Sequence, residues 1–218
     1  MPFGFGRKKD EQAASVDAEA EGAAADRREA RPVEFFGLTE EWRLRGTMTI
    51  KGRILETLNK REAIPLSHVT WAPLDGSTPF ESVPGIQTVD PYDLIIVIAG
   101  AESLDMSDEE RLAHRVHKVP FDVALEAPPI RIVGTVRLYP GSEPEGLLER
   151  ATQMFVAITN PTVTVGGTEI ELDEGADAVL VNRAYLRGVE QVDLTTGEPH
   201  HRLPGVPLGG TTWQDRTR

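Results

Sequence analysis

The alternation of apolar and polar positions is written into this chain twice. Residues 42 to 50 place Trp42, Leu44, Gly46, Met48 and Ile50 on one face and Arg43, Arg45, Thr47 and Thr49 on the other. Residues 130 to 138 repeat the inward set as Ile130, Ile132, Gly134, Val136 and Leu138. A period of two predicts a strand with one buried face, and a glycine at the same inward position of both predicts a bend or a close backbone approach. The match extends without a gap from 33–50 to 121–138, an offset of 88, although only three of those eighteen positions are identical.

The segments after each of these strands recur in the same order. Leu58 falls against Leu148, Leu66 against Ile158, and Tyr92-Asp93 against Ala176-Asp177, which sets Asn182-Arg183 against Ile98-Ala99. Ser142, with Glu145 three residues on and Pro144 in the first turn, predicts a capped helix whose face is Leu147, Leu148 and Ala151. Ile54, Leu55 and Leu58 supply the same face in the first repeat, with a poorer cap. Third strands are predicted at Ile64 to Trp71 and Phe155 to Val163, and closing strands in Asp93 to Ala99 and Ala178 to Leu186. The first closing strand is apolar on both faces, hence central and buried.

Each repeat therefore reads strand, strand, helix, strand, strand. The expected fold is α+β: two mainly antiparallel modules, residues 32–100 and 121–192, packed face to face with approximate two-fold symmetry. A module of about seventy residues with one short helix buries little surface alone, so each copy is the natural cover for the other. Residues 1–31 lack the apolar content of a core and read as a disordered tail. Residues 101–120 read as a linker with a short helix after Ser107, and 193–218 as an extended C-terminal tail.

The motifs "RGTMTI", "LETLNKREAIPLSHV", "VGTVRL", "GLLERATQMFVAI" and "AVLVNRAYL" resemble an uncharacterised family of small bacterial β-rich domains, over about two thirds of the chain. That resemblance implies a fold and a tandem duplication. It implies no activity and no cofactor.

Charge and composition narrow the function classes. The net charge of −12 is spread as −1, −3, −2, −6 and 0 over residues 1–32, 33–100, 101–120, 121–192 and 193–218. With no basic segment, the chain is a poor binder of nucleic acid, whose affinity rests on phosphate contacts. The absence of cysteine excludes disulfides and thiolate metal sites and fits a cytoplasmic location. The longest apolar run, Leu94 to Ala99, is too short for a membrane-spanning helix.

Candidate chemistry is sparse. Asn182 and Arg183 come after an apolar strand and could bind an anion or organise a turn; Arg45 and Arg53 are further cations for such a site. Arg27 to Arg31 carries an R-x-x-x-R spacing that resembles cyclic-di-GMP-binding PilZ domains, without their second element. Glu110, His114 and His117 share a helix face, but no further ligands accompany them, and no metal is expected. His200-His201 lies in the tail, and His68 has no catalytic companions. The expected function is a non-enzymatic protein-interaction or scaffold module, with Trp213 as a candidate tail contact. The alternative is a sensor of a small anionic ligand or nucleotide bound between the modules.

Overall fold

The structure is a computed structural model that describes residues 30–100, 118–149, 153–172 and 176–194. The expected N-terminal tail up to residue 29, the linker helix with His114 and His117, and the C-terminal tail with His200, His201 and Trp213 lie outside the described residues.

The first repeat comprises β1 (Arg31–Leu38), β2 (Trp42–Ile50), helix α1 (Ile54–Asn59), β3 (Ile64–Pro73), β4 (Glu81–Ser82), β5 (Thr88–Val89), a 3-10 turn at Pro91–Asp93 and β6 (Ile96–Ala99). The second comprises β7 (Val119–Ala127), β8 (Ile130–Leu138), a 3-10 turn at Pro144–Leu148, β9 (Phe155–Val165), β10 (Thr168–Glu169), β11 (Ala178–Asn182), a 3-10 turn at Arg183–Tyr185 and β12 (Gly188–Gln191). One antiparallel sheet runs β12-β7-β8-β9-β11-β6-β1-β2-β3-β4, with β5 on β3 and β10 on β9.

The α+β expectation is therefore corrected: the described fold is essentially all-β. The helix signals are real, but the elements are short. α1 spans six residues, held at its start by the Glu56 carboxylate, which accepts from the Arg53 backbone N–H at 3.4 Å. In the second repeat Ser142 lies outside the turn, which starts at Pro144 and tightens to 3-10 geometry; Leu147 is buried and Leu148 is 44% exposed.

The pairing registers repeat in a way the sequence alignment only half captures. Adding 88 to β1 and 92 to the closing segment turns the pairs Phe36–Ile98, Gly37–Val97 and Leu38–Ile96 into Ala124–Glu190, Leu125–Val189 and Glu126–Gly188. The bond from Ile95 N to Leu38 O (2.8 Å) becomes that from Arg187 N to Glu126 O (2.7 Å). Likewise Ile64–Val89 and Pro65–Thr88 become Val156–Val181 and Ala157–Leu180. So β5 corresponds to β11 and β6 to β12. In each repeat the last segment pairs first with the third strand, turns, and then pairs with the first, closing the meander on itself.

This equivalence corrects the expected two-fold, face-to-face packing. The repeats meet edge to edge through β6 and β11, with Ala99, Ile98, Val97 and Ile96 opposite Ala178, Val179, Leu180 and Val181. Those strands are not equivalents of each other, so the seam is head-to-tail. It also explains why both are apolar on both faces. Ile96, Ile98, Val179 and Val181 enter the core of the second repeat, whereas Val97, Ala99 and Leu180 enter that of the first.

The paired glycines sit where the registers slip. β2 against β3 shifts between Arg45 and Thr47, and β8 against β9 between Val133 and Thr135, bracketing Gly46 and Gly134. The bulged strands carry His68 and Asn160, both left-handed at φ 54° and 50°. A Cβ on Gly134 would lie 2.6 Å from Ile158 Cγ2 and 2.9 Å from Thr159 O; one on Gly46 would lie 3.1 Å from Ser67 O.

Candidate functional site

All four residues singled out for ligand binding make bonds or contacts within the fold, and the three arginines do so at separate places. Arg45 on β2 stacks over Phe36 (4.6 Å) and Phe80 (4.8 Å), sharing the second ring with Arg43 (5.5 Å). Arg53 pairs with Glu56 at 3.0 Å at the start of α1. Arg183 donates to the carbonyls of Leu147, Gly146 and Glu149 at 2.9, 2.8 and 2.8 Å, holding the 3-10 turn at Pro144–Leu148. Burial lowers its pKa, and the Glu149 charge beside it works in the opposite direction.

Asn182, the fourth, is fully buried and is the only buried polar residue among those described. Its Oδ1 accepts from Ala184 N at 3.0 Å, while its Nδ2 donates across the seam to Leu94 O at 2.8 Å and Pro91 O at 3.3 Å. Its backbone N–H donates to Ile95 O at 2.9 Å. Tyr185 adds a further cross-seam bond, from its hydroxyl to Tyr92 O at 3.1 Å.

The equivalent of Asn182 is Asp90, not Ile98. Each caps the turn after it: the Asp90 carboxylate accepts from Tyr92 N at 2.9 Å. The signal was in the sequence, since the offset of 92 at Leu66 and Ile158, carried forward, sets Asp90 on Asn182 and Asp93 on Tyr185. On β11 this edge is filled by β6. On β5 no described strand pairs beyond β3. Because Leu66 N bonds Gln87 O, strand alternation turns the N–H and C=O of Thr88 outward, and Gln87, Thr88 and Asp90 are exposed. This open edge, Ile86 to Asp90, is the candidate site, and sequence reading missed it.

Two shallow hollows exist elsewhere. One of about 400 Å³ is lined by Glu126, Arg131, Thr162 and Thr164 among others, and one of about 320 Å³ by Thr162, Glu169, Glu171 and Asp177 among others. Neither involves the predicted residues. No group of three metal-capable side chains occurs among the described residues, where no helix is long and apolar enough to cross a membrane. Comparison with known proteins finds no matching family model, no similar curated protein and no similar solved structure.

Proposed function

We propose that the protein is a non-enzymatic interaction or scaffold module that takes up an extended strand at the open edge of β5. One observation carries this reading: the equivalent edge, on β11, holds β6 along four residue pairs in the same chain. An edge whose N–H and C=O groups point outward is a ready acceptor for strand addition, in which the main chain gives affinity and side chains give selectivity. The net charge of −12 favours a protein over a nucleic acid as partner.

The test is co-purification from cells with wild type and with Thr88→Pro. Proline removes an N–H that faces away from β3, where no described strand pairs, and is tolerated at edge strands. A partner retained by wild type and lost from Thr88→Pro supports the reading, and identical partners for both overturn it.

A further inference from the structure

We infer that the strand seated on β5 is β12 of a second copy of this chain, so that the protein assembles head-to-tail; this rests on the strand-addition reading above. Two edges in the molecule are equivalents of the two that meet at the internal seam. β5 matches β11, and β12 matches β6. No described strand pairs with β12 on the side away from β7, and it ends the sheet. Val192 N bonds Asp122 O, so alternation turns the backbone groups of Val189 and Gln191 outward, as the seam requires of Val97. Transferring the seam register sets Val89 opposite Gly188, Thr88 opposite Val189, Gln87 opposite Glu190 and Ile86 opposite Gln191 between chains.

The changes at the equivalent positions are complementary. Across the seam, Asn182 and Tyr185 are donors aimed at the carbonyls of Pro91, Tyr92 and Leu94. The equivalent positions, Asp90 on the open edge and Asp93 in the turn after it, hold carboxylates, which accept but cannot donate. An occupant must therefore bring donors where the seam presents carbonyl acceptors. The second copy does so. The carbonyls matching Tyr92 and Leu94 are those of Ala184 and Leu186, and both already accept from Arg187 Nη1, at 3.0 and 3.3 Å. Arg187 is exposed and thus holds a cation where Asp90 and Asp93 of the next chain would arrive. Leu148, 44% exposed, gains cover in such a joint, as its counterpart Leu58 is buried in the first repeat. A head-to-tail contact of this kind is heterologous and gives open chains of subunits, or a ring where its rotation closes.

Sedimentation equilibrium of the full chain from about 10 to about 500 µM reads the assembly directly. Average mass should rise beyond that of a dimer, whereas a constant 23.9 kDa overturns the inference and leaves the co-purification result standing on its own. Asp90→Arg and Arg187→Asp should each weaken association at least ~10-fold, and mixing the two variants should restore it, because each joint then pairs unlike charges. Asp90→Asn keeps the turn cap, as Asn182 shows, so its weaker association cannot be assigned to misfolding. A dimer that neither charge reversal weakens, or mixtures no stronger than the separate variants, would refute head-to-tail pairing.

Discussion

Asn182 and Asp90 occupy one position of a repeated fold, yet one is fully buried and the other exposed. Both cap the next turn through a side-chain oxygen. They differ in the group across the strand edge. Where the turn before β6 presents the carbonyls of Pro91 and Leu94, the side chain must donate, and an amide can; where no described strand is present, a carboxylate suffices. The identity of one atom, nitrogen or oxygen, thus reports which edge the chain has already filled.

The comparison breaks most sharply by exchanging the two side chains. Asn182→Asp would bury a carboxylate oxygen against two carbonyls and should cost ~3 kcal/mol or more, read as a lowered urea midpoint. Asp90→Asn should stay within ~0.5 kcal/mol of wild type. Equal effects would mean that the seam does not depend on the amide donor.

The glycine pair sharpens the same contrast at a smaller scale. Gly134→Ala must move Ile158 and approach Thr159 O, and should destabilise by ~1–3 kcal/mol. Gly46→Ala meets a single oxygen at 3.1 Å and should cost less. Reversed order in denaturant titrations would show that the two bulges relax differently from their static geometry.

Arg183→Met comes next in size. It removes three carbonyl bonds while keeping much of the side-chain length, at ~1–2 kcal/mol once the usual worth of charged donors is reduced for its partial exposure. Faster hydrogen exchange confined to residues 144–149 would identify the loss as local.

Much of this fold is legible in the sequence, and the failures have physical causes. Period-two patterning locates β2 and β8 and the inward glycines, because a strand with one wet face writes that pattern directly. The gap-free offset of 88 is preserved in the register of both hairpins. The closing strands mislead. Asp93 to Ala99 aligns on Ala178 to Leu186 because each contains a wholly apolar run, but Ile96–Ala99 and Ala178–Val181 are apolar because they pair with each other and each serves two cores. Shared burial imitates shared ancestry. A helix is expected in the second repeat because cap-like residues and an apolar pair are equally compatible with a single 3-10 turn. Arginine positions can be read, but not their partners, which come from residues such as Phe80, just before β4, or Gly146, 37 positions from Arg183.

The mildest test concerns Tyr185, whose hydroxyl spans the seam to Tyr92 O. Burial, reinforced by the charges of Glu40 and Asp93, raises its pKa above the ordinary 10.0, with Arg187 opposing. A folded pKa above the unfolded one means that folding favours the protonated form. Its contribution is therefore fully present below pH 10 and is lost as pH rises through the folded pKa. Tyr185→Phe should lose at most ~1 kcal/mol at neutral pH, from one partly exposed hydrogen bond. As pH rises above 10 and through the raised folded pKa, the wild-type urea midpoint should fall more steeply than that of the variant, so the two curves converge. Parallel curves across that range would show that Tyr185 titrates in the folded chain as it does in the unfolded one, and that the seam leaves its hydroxyl in contact with water.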